Sequence, residues 1–179
     1  MSMFEIVFSP TGGTEKVSGL VTGALDGNIV TVDLSDSGLD FHGVSMAKGD
    51  VAVISVPSYA GRVPAVAVER LGMVRGNGAR AVLVCVYGGR AFEDTLIELE
   101  DVAKRAGFRV VAAVSAIAEH SVARQFAAGR PDAQDVAQLS EFAQRIRQKL
   151  LDGAASEPSI PGNRPYKQAG GHSMVPHAT

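Results

Sequence analysis

Apolar positions along this chain follow two rhythms that alternate. Unbroken runs rich in β-branched residues occupy Phe4–Phe8, Ile29–Val32, Val51–Val56, Ala81–Tyr87 and Val110–Ala116, each of strand length. Between them the spacing changes to threes and fours. Val17, Leu20, Val21, Ala24 and Leu25 repeat at a helical period, as do Val136, Leu139, Ala143, Ile146 and Leu150. The pattern predicts five strands and four helices, the helices over 14–25, about 64–73, 92–106 and about 133–151. Strands without polar alternation need cover on both faces, so an α/β fold with a parallel sheet between two helical layers is expected. Helix limits are marked by Pro64 in a first turn, Gly107 after Ala106, and Asp132 ahead of a helix that ends with Arg145, Arg147 and Lys149. Leu34 to Lys48 shows no convincing period, and a second helix there is expected to be short or missing.

The first 152 residues read as one folded domain, and 153–179 as a Gly/Pro-rich tail or linker with too few large apolar groups to build a core. Docking of Ile160 to Tyr166 onto the domain is the alternative. At 179 residues, 46% hydrophobic and a net charge of −2, the chain can bury one full core. It has no basic stripe interleaved with aromatics, which argues against nucleic acid, and no membrane-length apolar run. The N-terminus lacks a signal-peptide pattern, so a cytoplasmic location is the expectation. The single Cys85 lies inside the run AVLVCVY and is expected to be a buried, inert thiol. Four residues separate it from Arg90, whereas a low-molecular-weight phosphatase needs five.

Chemistry concentrates where the first strand meets the first helix. The first N–H groups of a helix have no partners within it, and its dipole places partial positive charge there. Ser9, Thr11 and Thr14 add hydroxyl donors, while Gly12 and Gly13 allow close backbone approach. The turn contains no Lys or Arg, and neither Gly-x-x-x-x-Gly-Lys-Ser/Thr nor Gly-x-Gly-x-x-Gly spacing is present. Such a neutral cup suits one terminal phosphate.

Ser9-x-Thr11-Gly12-x-Thr14 after a first strand resembles the phosphate loop of flavodoxins, which hold the monophosphate of flavin mononucleotide (FMN) in this way. The resemblance implies a flavodoxin-like three-layer sandwich around a five-stranded parallel sheet of order 2-1-3-4-5. It also implies that the loops after the third and fourth strands grip the flavin ring: Pro57, Ser58, Tyr59, Ala60, Gly61 and Arg62, then Tyr87, Gly88, Gly89, Arg90 and Phe92. Tyr59 is the first choice for stacking on the ring. A peptide flip around Ala60 and Gly61 is implied by analogy. Arg62 and Arg90 depart from the acidic surroundings of ordinary flavodoxins and would favour the anionic reduced ring.

A closer resemblance covers residues 3 to about 166, through FSPTGGT, VPSYAGRVP, VYGGRAFEDTL, AEHS, AAGRPD and PGNRPYK. In order, these look like the flavodoxin-like part of a family in which a flavin domain precedes a ferredoxin-type iron–sulfur domain. The Cys-rich cluster motifs of that second domain do not occur in the 179 residues. Together these features point to an FMN-binding electron carrier, and the resemblance implies a redox partner protein, a ferredoxin-type one being a candidate. The alternative is a NAD(P)H-dependent flavin or quinone reductase on the same fold, and a third reading is a cofactor-free interaction domain. His120 lies beyond the fifth strand without the acid a triad needs, and is expected to stabilise its loop. His42, His172 and His177 are too scattered for a metal site.

Overall fold

The computed structural model describes residues 2–25, 27–89, 91–120, 123–153 and 156–168. Its five strands are β1 (Met3–Val7), β2 (Ile29–Asp33), β3 (Val51–Pro57), β4 (Arg80–Tyr87) and β5 (Arg109–Ile117). All pair in parallel, in the order β2-β1-β3-β4-β5. The helices are α1 (Gly13–Gly23), α2 (Ala65–Met73), α3 (Thr95–Arg105) and α4 (Ala133–Leu151). This is the flavodoxin-like α/β architecture, with strand order reversing at β1 and β3.

Strand periodicity divides the interior in two. Along β4, Ala81, Leu83 and Cys85 join the core beneath α2 and α3, while Val82, Val84 and Val86 join the core beneath α1 and α4. Strands buried on both faces read as continuous apolar runs for this reason. One polar link crosses the second core: the Ser55 hydroxyl on β3 donates to the Ser18 hydroxyl on α1 at 2.9 Å, both fully buried.

Local chemistry ends the helices where the sequence marks them. At α4, Asp132 accepts from the N–H groups of Gln134 and Asp135, and the Asp135 carboxylate accepts from the Asp132 N–H, closing a capping box. Gly107 follows α3 at φ 88°, with the N–H of Phe108 donating to the Ala103 carbonyl and that of Gly107 to Lys104. This is a Schellman ending, and it requires left-handed backbone at the glycine.

As the missing period implies, no second α-helix lies between Leu34 and Lys48, where a 3₁₀ turn at Phe41–Gly43 buries Phe41. Two features differ from the periodic reading. Ile29 and Val30 on edge strand β2 stay exposed. Helix α3 starts at Thr95 rather than at Phe92, because Glu93 takes φ 43° and the Asp94 carboxylate is not used as a helix cap. That carboxylate instead accepts from the N–H and side-chain amide of Asn163 and from the N–H of Lys167. Residues 156–168 lie along α3, with Ile160 packed on the core and Arg164 bridging Glu100 and Asp101. Among the described residues no helix is long and apolar enough to cross a membrane.

Candidate cofactor site

At the carboxyl edge of the sheet, beside the reversal of strand order, lies a cavity of about 450 Å³. Ligands of open α/β sheets bind at this position, and the volume falls within the ordinary range for small-molecule sites. One wall is the β1–α1 turn, with Pro10, Thr11, Gly13 and Thr14. A second is Pro57 to Ala60 after β3, and a third Val86 to Gly88 at the end of β4. Glu119 and His120, after β5, complete the rim.

The first wall is built by the start of α1. Gly12 precedes the helix at φ 83°, a left-handed conformation natural to glycine. The Glu15 N–H donates to the Ser9 hydroxyl at 2.9 Å, and the Lys16 N–H to the Gly12 carbonyl at 3.1 Å. Ser9 therefore caps the helix and does not line the cavity; nor does Gly12. The N–H groups of Gly13 and Thr14, both cavity residues, are the first of the helix and lie beyond reach of its own carbonyls. Beside them stand the exposed Thr11 and the buried Thr14, with no cationic side chain in the wall. An uncharged donor set at a helix start fits a monophosphate electrostatically.

The β3–α2 loop is a tight hairpin: Tyr59 and Arg62 exchange both backbone hydrogen bonds at 3.0 Å, with Ala60 at φ 52° and Gly61 at φ 80° between them. Positive φ at an alanine is strained backbone, placed here on the cavity wall. Tyr59 is 43% exposed, so its ring is available for stacking. Ser58 ties this loop to the next, with its N–H on the Val86 carbonyl at 2.8 Å and its hydroxyl 2.7 Å from that of Thr95.

After β4, Gly88 is required by close approach. A Cβ there would stand 2.5 Å from the Cα and 2.8 Å from the N of His120. Gly89 faces open space. Gly61 and Gly89 line a smaller hollow of about 240 Å³ beside the main cavity, with Glu93, His120 and Lys167. Tyr87 and Phe92 pack against each other, ring centroids 5.5 Å apart at 57°.

Phe92 and Arg62 line neither space. Arg62 turns to α3, where its guanidinium grips Glu98 through two 2.7 Å hydrogen bonds, donates to the Lys167 carbonyl at 2.8 Å and lies 4.9 Å from the centre of the Tyr166 ring. The Glu98 carboxylate raises its pKa further. Arg90 lies outside the described residues, as do His172 and His177. His120 does hold its own loop, as its sequence position suggests, because Nδ1 accepts from the Ala123 N–H at 3.0 Å. It also reaches the cavity rim with Glu119, which sequence reasoning did not include. The signal was Gly88, where a side chain would meet the approaching β5 loop. Among the described residues no cluster could hold a metal ion.

The fold is flavodoxin-like, and solved structures agree. No protein-family model matches the chain, and no curated protein matches it by sequence. The reduced flavodoxin of Megasphaera elsdenii superimposes with a TM-score of 0.54 at 15% identity, over 80% of this chain and 98% of that one. An apo NADH:FMN oxidoreductase reaches 0.59 at 13% identity, over 83% and 90%. The rubredoxin:oxygen oxidoreductase of Desulfovibrio gigas reaches 0.56 at 14%, over 87% of this chain but 37% of its own. At these identities the likeness is one of fold.

Proposed function

We propose that the chain binds one FMN non-covalently and carries electrons between redox partners, a ferredoxin-type protein being one candidate. The observation that supports this reading is the pairing, across one cavity, of an uncharged donor cup at the start of α1 with the tyrosine-bearing loop after β3. Thr11, Thr14 and the N–H groups of Gly13 and Thr14 would hold the phosphate. Tyr59 would cover one face of the ring, and Pro57 to Gly61 with Tyr87 to Gly89 would bound its edges. When bound, the flavin supplies the electron chemistry, and the chain binds, orients and shields it.

The test is a visible-range titration with FMN and with riboflavin. The protein is expected to bind both, and Thr11→Val with Thr14→Val to weaken FMN selectively. Two charge-assisted hydrogen bonds at about 1.5 kcal/mol each amount to about a hundredfold in affinity. Retention of FMN affinity by the double variant would move the phosphate elsewhere, and a protein that takes up neither ligand would be an interaction domain. A second reading, the NAD(P)H-dependent flavin or quinone reductase, is favoured by the hollow of about 240 Å³ beside the cavity, which leaves room for a second ring. Bleaching of bound flavin by NADPH alone would select it.

A further inference from the structure

Residues 162–167 meet both loops assigned above to the flavin ring, and they do so mainly through one residue. Lys167 donates its N–H to the Asp94 carboxylate at 2.6 Å, accepts at its carbonyl from Arg62 at 2.8 Å, and pairs its ammonium with Glu93 at 2.5 Å. Arg62 ends the loop after β3; Glu93 and Asp94 end the loop after β4. The two loops also meet directly, since the Asp94 N–H donates to the Gly61 carbonyl at 3.1 Å. They pack so tightly that a Cβ on Gly61 would fall 2.9 Å from that of Glu93.

Asn163 and Tyr166 complete the connection. Asn163 places its N–H and its side-chain amide on the same Asp94 oxygen, at 2.8 and 3.1 Å. Tyr166 stacks under Arg62 and donates its hydroxyl to Asp101. The segment can lie this close because Gly162, at φ 140°, presents no side chain to Ile97.

We infer that segment 162–167 is a positioning element of the flavin site, a clamp that sets the separation of the two ring loops through Lys167. This inference rests on the proposed flavin site. Without the segment Asp94 loses three donors, Arg62 and Glu93 each lose a partner, and the loops keep only their direct contacts. Arg62 is thereby a positioning residue whose charge is committed to Glu98 and the clamp. Since the clamp bears on the ring end and not on the phosphate cup, it contributes equally to binding of FMN and riboflavin. By linkage, ligand in the cavity steadies the clamp as much as the clamp steadies the ligand.

Two full-length variants test this. Gly162→Val drives a side chain into Ile97, where even a Cβ would stand 2.4 Å from Cγ2, and Lys167→Pro removes the N–H given to Asp94. Each is expected to weaken FMN and riboflavin by the same factor, about fivefold or more, and to change the fluorescence quenching of the bound ring. In the unaltered protein, which needs no variant to fold, FMN is expected to slow amide exchange at Asn163 and Lys167 by a like factor. The inference is overturned if FMN leaves that exchange unchanged. It is equally overturned if a folded variant whose clamp amides exchange freely binds with unaltered affinity. An unaltered protein that binds no flavin fails at an earlier step, and that result removes the proposed function itself.

Discussion

Gly88 and Gly89 are neighbours in sequence, neither has positive φ, and they differ in the space around them. At Gly88 an added methyl would meet main-chain atoms of His120 at 2.5 and 2.8 Å and the Ala118 carbonyl at 3.0 Å. Backbone cannot rotate aside as a side chain can, so Gly88→Ala must push the β5 loop outward by about 1 Å to reach ordinary contact distance. Overpacking of this kind costs about 1–3 kcal/mol, which for a chain of this size lowers the melting temperature by about 2–12 °C. The moved loop carries Glu119 and His120 from the cavity rim, so FMN affinity is expected to fall as well. Gly89→Ala adds the same methyl where nothing lies within 4 Å and is expected to change neither quantity. Thermal melting by circular dichroism and FMN titration of both variants decide the matter. Equal melting temperatures would refute the close approach, and a melting loss with FMN affinity intact would remove the β5 loop from the cofactor site.

Acid is expected to unfold the protein through its paired carboxylates. Asp94 is held below the usual carboxylate range by N–H bonds from Lys167 and Asn163, Asp101 and Asp135 by Arg164 and Arg130, and Asp50 by the N–H groups of Ser2 and Ala47. Each lowered group binds fewer protons folded than unfolded. Its stabilisation is therefore complete above the unfolded pKa near 4 and is lost as pH falls through the folded value. Melting temperatures from pH 6 to 2 check this, and a profile that stays flat at the acid end contradicts it. Cys85 is fully buried, and desolvation pushes its thiol pKa far up, so a thiol reagent at pH 8 is expected to label it only at the rate of unfolding. Immediate labelling of native protein would place it at a surface.

What the sequence made legible was whatever local chemistry decides. The five apolar runs had to be strands, Asp132 had to cap, and Gly107 had to end a helix, because neighbours within a few residues supply the physics. The start of α3 was misplaced for the opposite reason: the partners that draw Asp94 away from capping lie 69 and 73 residues along the chain. Arg62 was read as a charge beside the flavin because nothing near it in sequence announces Glu98, 36 residues on. In the segment from Leu34 to Lys48, Leu34, Phe41 and Met46 are buried without any helical period, so periodicity had nothing to register.

The partition of the interior by strand parity gives the two ends of the proposed ligand separate foundations. Helix α1, which offers the nucleotide's anionic end its donors, rests on even-numbered β4 positions such as Val82 and Val84; α3, which carries the clamp, rests on odd-numbered ones such as Leu83. A void opened at Val84 loosens the floor under the phosphate cup, and one opened a single residue earlier loosens the floor under the ring. The sheet thus works as a bulkhead: a void on the α1 side is expected to weaken the intact nucleotide alone, and one on the α3 side to weaken it and its dephosphorylated form alike.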